Sequence, residues 1–306
     1  MIKDEFKIFF KDQELDKVEI RNGIPRFSHD FSYSTGNFSK LRENHAKLQL
    51  DSINNTNDRR NTLFINTNWE PSFFKNKTIL ECGCGVGPDT EILLSLGAKV
   101  IAVDIAGIDI AKANLKDHPN LQLVQADISN MPFIKKSFDI VYCHRVLQHT
   151  PYPINTLEHI LGFVKDEGAV FIHSYAYTLA QFLTWKYPLR IFTKRMNSEK
   201  LYDWIKLLSG PLYHITNFTN RLGKFGKYLN HVLIPFANYG NSPYFKGKSK
   251  EFIIEYGIHD TFDALSPRYD NPIKAKKMKE LATKMLKMPF ILKEEPRSTY
   301  LVSKIV

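Results

Sequence analysis

Three cysteines in 306 residues are too few for a disulfide framework. Two of them, Cys82 and Cys84, share one glycine-rich loop and lack the further ligands of a zinc site. No apolar run reaches the roughly 18–20 residues of a membrane span. The opening stretch, MIKDEFKIFFKDQELDK, lacks the basic start, apolar core and cleavage site of a secretory signal. Repeats and low-complexity tracts are absent as well. The expectation is a reduced, cytoplasmic globular protein, possible contact with a membrane surface aside, with no metal. The charge is uneven. Twelve Lys/Arg against two acids between Ala180 and Lys250 equal the whole chain's excess of +10.

From residue 77 onwards short apolar runs alternate with amphipathic stretches. Thr78–Leu80, Lys99–Val103, Leu121–Val124, Phe138–Tyr142 and Ala169–His173 read as five strands. Helices are expected over Pro88–Leu96, closed by Gly97, over Ile108–Leu115 and around Ile154–Val164. This rhythm predicts an α/β, Rossmann-like, doubly wound sheet with right-handed crossovers. After the fifth strand the pattern breaks, then resumes with a helix near Lys274–Leu286 and strands at Pro289–Lys293 and Ser298–Ile305. The short turn between these strands makes them antiparallel neighbours. The expected organisation is an N-terminal extension over 1–60, a sheet domain over 61–175 and 251–306, and a mainly helical basic, aromatic insertion over 176–250 acting as a lid. In the extension, Phe6–Phe10 and Lys17–Ile20 are read as a hairpin around Asp16. Asn22-Gly23 is a turn signal, and a helix is expected between Ser34 and Ile53.

A strand, a glycine-rich turn and a helix form a nucleotide-type site, because glycines let the backbone approach the ligand and the helix start presents free N–H groups. A dinucleotide loop reads G-x-G-x-x-G/A, whereas here Gly83, Gly85 and Gly87 alternate and Pro88 takes the last position. Glu81 ends the strand. This E-x-G-x-G-x-G pattern resembles the first motif of class I S-adenosylmethionine (SAM)-dependent methyltransferases. The resemblance implies that Glu81, Gly83, Gly85 and Gly87 hold the methionine part. It also implies that Asp104, with Ile105, grips the ribose, and that Asp127 and Ile128 of Gln125–Ile128 meet the adenine. Phe138–Val141 and Val146–Thr150 resemble the family's FDxV…VLxH segment, which brings Cys143 to the cofactor and His149 to the acceptor. Lys165–Gly168 stands where many members have a KPGG turn. Asn22–Phe27, Gln49–Ser52 and Thr261–Tyr269 resemble a bacterial subgroup often linked to surface glycans or specialised metabolites. The GIPRF stretch is similar to the end of a zinc-ribbon-like domain, but the cysteines such a domain needs are absent.

Methyl transfer to a high-pKa oxygen needs alignment and a base. His149 ranks first and His144 second, followed by His173 and by His259 with Asp260. Tyr33, Tyr175, Arg268 and Tyr269 are the candidates for lining an acceptor pocket. The expected function is methylation of a small anionic acceptor, with oxygen favoured. The alternatives are a membrane-associated lipid or lipid-linked sugar, RNA, and a SAM-binding module without catalysis. For the insertion, an anionic small substrate, an acidic membrane surface and RNA rank in that order beside a plain solvated face; oligomeric state is not readable.

Overall fold

The computed structural model describes residues 1–16, 18–27 and 37–305. Its centre is one sheet with strands β1 (Glu19–Arg21), β2 (Ile24–Arg26), β3 (Thr78–Cys82), β4 (Lys99–Asp104), β5 (Leu121–Gln125), β6 (Phe138–Cys143), β7 (Val164–Tyr175), β8 (Phe290–Glu294) and β9 (Ser298–Ser303). Their order is β1-β2-β5-β4-β3-β6-β7-β9-β8. Strands β3 to β7 are parallel, while β9 runs antiparallel to both β7 and β8. The predicted mostly parallel sheet with an antiparallel C-terminal end is therefore what forms. Strand order reverses at β3, with β4 on one side and β6 on the other, so the crevice at its carboxyl end is the natural ligand position.

The central strands are apolar on both faces because both are covered. Leu80, Ile101, Val103 and Val141 belong to one core; Ile79, Val100, Ala102 and Ile140 belong to the other. The helix Pro88–Ser95 starts with proline at its first turn, and the helix Ile108–Leu115 returns the chain to β5. Residues 165–168 do not make a separate turn. They lie inside β7, at a register shift opposite Phe138–Ile140, where a side chain on Gly168 would meet the Asp139 carbonyl at 2.7 Å.

The N-terminal hairpin differs from expectation. Phe6 and Phe10, four residues apart, fall on one side of a helical turn starting at Asp4 and are buried against Phe133 and Phe138, so this stretch is not a strand. The hairpin forms instead around Asn22-Gly23, whose positive φ values of 54° and 72° suit a tight turn. Strand β2 then pairs with β5. Buried Arg26, from the GIPRF stretch, bonds Gln125 and Asp109 and so fastens the hairpin to the sheet. Residues 19–26 are thus part of the sheet. Between residues 37 and 54 the chain makes two helices, Asn37–Asn44 and Asp51–Asn54, in place of one.

The insertion is helical, with its main helices at Lys186–Thr193, Ser198–Asn220 and Gly223–Val232. The boundary expected at residue 250 falls at a helix start, where the Ser249 hydroxyl accepts from the Phe252 amide. That helix, Lys250–Leu265, packs Ile258, Phe262 and Leu265 against Leu201, Ile205 and Leu41. Apolar packing therefore assigns it to the helical layer and not to the sheet domain.

Candidate active site

Beyond the carboxyl ends of β3, β4 and β6 lies a cavity of about 660 Å³, walled by the sheet on one side and the helical layer on the other. Gly83 and Gly85 have φ of +85° and +59°. At Gly83 a side chain would strike Val146 at 2.4 Å; at Gly85, among the described residues, only Arg42 comes within 4 Å, so the loop backbone is bare of them there. Asp104 is the loop's organiser. Its Oδ2 accepts from Gly85 N (2.9 Å), and its Oδ1 accepts from Ala106 N (2.8 Å) and Gly107 N (2.7 Å). The Arg42 guanidinium straddles the same carboxylate, at 2.9 Å to Oδ1 and 3.3 Å to Oδ2. Glu81 is buried behind the loop and accepts from Thr90 Oγ1 at 2.6 Å. Burial, then the nearby Asp89 carboxylate, pushes its carboxyl up to about 8.

Next to the loop stands a buried polar cluster. Asp89, in the first turn of its helix, lies 2.7 Å from His144 Nδ1, accepts from Tyr142 OH at 3.2 Å and has Arg59 Nη1 at 3.8 Å. Burial alone would raise the Asp89 carboxyl, but His144 and Arg59 more than offset it, and the group sits well below the usual range. Burial lowers His144 despite Asp89. In its neutral form His144 donates Nδ1–H to Asp89, which leaves Nε2 as the basic nitrogen. Arg145 follows, exposed on the cavity wall in the left-handed backbone region at φ 62°. Among the described residues no carboxylate comes within ion-pair distance of it.

His149 also lines the cavity; its Nδ1 donates to the Tyr269 carbonyl at 3.1 Å, and burial lowers its pKa. His173 is a buried wall residue whose Nε2 meets Ser298 Oγ at 3.2 Å and whose Nδ1 has no hydrogen-bond partner. Across the cavity, His259 Nδ1 pairs with Asp260 at 2.8 Å, and Tyr239 donates to the same Asp260. Tyr175 stands beside the His149 ring and under the Lys186 ammonium, which is 4.3 Å from its ring centre. Lys186 is itself held by Asp270 at 2.6 Å.

Of the residues singled out from sequence, Gly83, Gly85, Asp104, Ile105, Ile128, His144, His149 and Tyr175 face this one cavity. Glu81, Gly87, Asp127 and Cys143 lie behind or beside its wall, and Asp127 accepts from the Ser129 amide. Two expectations do not hold geometrically. Arg268 is exposed and lies over the Tyr269 ring, neither residue lines the cavity, and the Tyr269 backbone carbonyl meets His149 Nδ1. Arg190 donates to the carbonyls of Ala264 and Pro267 within the helical layer, while the Tyr269 carbonyl meets His149 beyond β6, so the conspicuous 261–269 stretch joins helical layer to sheet domain. Tyr33 lies outside the described residues. Sequence reasoning missed Arg42, Arg59, Asp89 and Arg145. Only Asp89, directly after the loop and its proline, carried a positional hint.

A glycine loop after the central strand, with an acid ending the next, defines a Rossmann-like, nucleotide-type binding domain. Within that class, residues 80–172 match the family described as "Methyltransferase domain". The mitochondrial ubiquinone biosynthesis O-methyltransferase of Schizosaccharomyces pombe is 30% identical over 154 residues, covering 45% of this chain and 56% of that protein. The malonyl-[acyl-carrier protein] O-methyltransferase of Halalkalibacterium halodurans is 31% identical over 106 residues, or 32% and 39% of the two chains. Among solved structures, the CurJ carbon methyltransferase superposes at TM-score 0.39 with 13% identity, over 77% of this chain and 49% of that one. The chain thus spans about half the length of these curated relatives, or less.

Proposed function

We propose that this chain transfers a methyl group from SAM to an oxygen of a small anionic acceptor. The observation that carries this reading is the meeting, in one cavity, of a bare glycine loop and the Asp89–His144 pair. The loop fits the cofactor: Gly85 leaves room for a ligand, Asp104 presents a carboxylate suited to a ribose diol, and buried Glu81, protonated in the free protein, becomes the carboxylate that an ammonium favours. Bound there, SAM supplies a methyl on a sulfonium, a good leaving group for in-line displacement. His144 Nε2 takes the acceptor proton as the oxygen–carbon bond forms, and Asp89 stabilises the resulting imidazolium. This favours His144 over His149 as the base, because a buried carboxylate orients His144 whereas the Tyr269 backbone carbonyl accepts from His149 Nδ1. Arg145, charged and with no carboxylate within ion-pair distance among the described residues, holds an acceptor carboxylate or phosphate. Oxygen as the methylated atom is supported by the O-methyltransferase names of both curated relatives.

The test is release of S-adenosylhomocysteine (SAH) from SAM across a panel of hydroxylated carboxylates and phosphates. Turnover with an anionic compound and loss of apparent affinity for it in Arg145→Ala, with SAH binding kept, are expected. Turnover only with neutral acceptors would refute the anionic part. No SAH binding by calorimetry would refute the whole.

A further inference from the structure

The helix Ser198–Asn220 and the residues just after it carry two apolar faces where a packed helix needs one. Leu201, Ile205 and Leu212 face the protein core. Trp204, Leu207, Leu208, Ile215, Phe218 and Leu222 lie along a second face and are exposed, Trp204 at 62%, Leu207 at 77% and Phe218 at 64%. From Trp204 to Phe218, at 1.5 Å per residue, this stripe runs about 21 Å. The next helix, Gly223–Val232, continues it with exposed Phe225 and Tyr228. The short helices that roof the cavity with Gln181, Thr184 and Lys186 expose Leu179, Leu183, Ile191 and Phe192. Apolar exposure on this scale in one helical layer needs an occupant.

Charge decides which occupant. Lys194, Lys200, Arg221, Lys224 and Lys227 are exposed on the same helices and linkers, with no carboxylate within ion-pair distance among the described residues. A second copy docked on this stripe would bring a matching set of cations against them. RNA would use the cations and the aromatic rings but leave Leu207, Leu208, Ile215 and Leu222 uncovered. An anionic lipid bilayer satisfies both: acyl chains take the apolar stripe and headgroups take the cations. We infer that the helical layer is a peripheral membrane-docking surface for acidic lipid, lying flat on the interface. Among the described residues no helix is long and apolar enough to cross a bilayer, and this surface needs none.

This inference is independent of the methyl acceptor, and its test needs neither cofactor nor turnover. The full chain is mixed with vesicles of phosphatidylglycerol and phosphatidylcholine, or of phosphatidylcholine alone, and bound protein is read by flotation. Binding at least about tenfold tighter to the anionic vesicles is expected, weakening with salt. Phe218→Ser/Phe225→Ser and, separately, Lys224→Glu/Lys227→Glu should each lower it by about tenfold or more, with thermal unfolding unchanged. Of the three tryptophans, Trp69 is buried, Trp185 is half-buried against the helical core and Trp204 is exposed. The emission blue shift on vesicles should therefore vanish in Trp204→Phe while flotation persists. Absence of flotation, or equal binding to neutral vesicles, overturns the proposal. So does a stable dimer dispersed by the Phe218→Ser/Phe225→Ser change, or RNA binding that survives that change while vesicles are ignored.

Discussion

Replacing Asp104 by asparagine should separate the two tasks of that carboxylate. One oxygen remains to accept from Ala106 N and Gly107 N, but the new amide group then faces Gly85 N–H and Arg42 Nη2, donor against donor. The lost ion pair is largely buried, with side-chain exposures of 18% for Arg42 and 4% for Asp104. Breaking a fully buried pair costs about 3–5 kcal/mol; because Arg42 can still reach water, about 2–3 kcal/mol is expected here. That corresponds to a fall in Tm of about 4–10 °C, measured by scanning calorimetry. A ribose diol would donate to the same carboxylate, each charge-assisted bond being worth about 1.5–3 kcal/mol. Since Arg42 must first give up its grip, the net loss belongs at the lower end, about 2 kcal/mol, or roughly 30-fold in the SAH dissociation constant by titration calorimetry. A variant that melts earlier yet binds SAH within about threefold of the unmodified chain would refute Asp104 as the ribose ligand. Unchanged Tm would refute the structural half of the reasoning.

Arg42→Met removes the competitor for Asp104 while leaving the three backbone donors in place, so SAH affinity should rise severalfold; a fall would assign Arg42 to the ligand itself. His144→Ala and Asp89→Asn should each cut turnover by about 10²–10⁴ with SAH affinity kept, and His149→Ala by less; the reverse order in single-turnover assays would restore His149 as the base. Glu81, raised to about 8 from an ordinary 4.5, is mostly protonated in the free protein at pH 7. A group raised in the folded state costs nothing below its unfolded pKa, and its penalty grows as pH rises from about 4.5 to about 8, so Glu81→Gln should gain stability relative to the unmodified chain across that window. An ammonium bound nearby favours the carboxylate, so SAH binding at pH 7 should release close to one proton. Calorimetry in buffers of different ionisation enthalpy reads this, and buffer-independent heats would rule it out.

The sheet was legible because its signals are local. Apolar runs of four to six residues, broken by Gly83–Gly87 and Gly97, mark strand ends whatever the rest of the chain does. Gly83, Gly85 and Asp104 were found for the same reason. The Asp89–His144 pair was hidden because 55 residues separate its members and only the β3–β6 adjacency brings them together. Arg145 was visible in the sequence, but its left-handed backbone and missing partner are properties of the folded cavity. The first hairpin was misplaced because Phe6 to Phe10 fits a buried strand as well as a buried helical turn, and tertiary packing chose between them. Arg268 drew attention by its motif, although that motif serves to join two layers.

The two walls of the cavity have different histories along the chain. The loop side comes from one unbroken stretch between β3 and β6. The opposite side is gathered from remote places: Lys186, Tyr239, His259 and Arg297 all border the same space. On the proposed function, substitutions on the gathered side would reshape the acceptor's surroundings, one residue or one helix at a time, without touching the loop that grips the methyl donor. Such a division of labour would let one donor-handling frame be refitted to new acceptors through the helical roof alone.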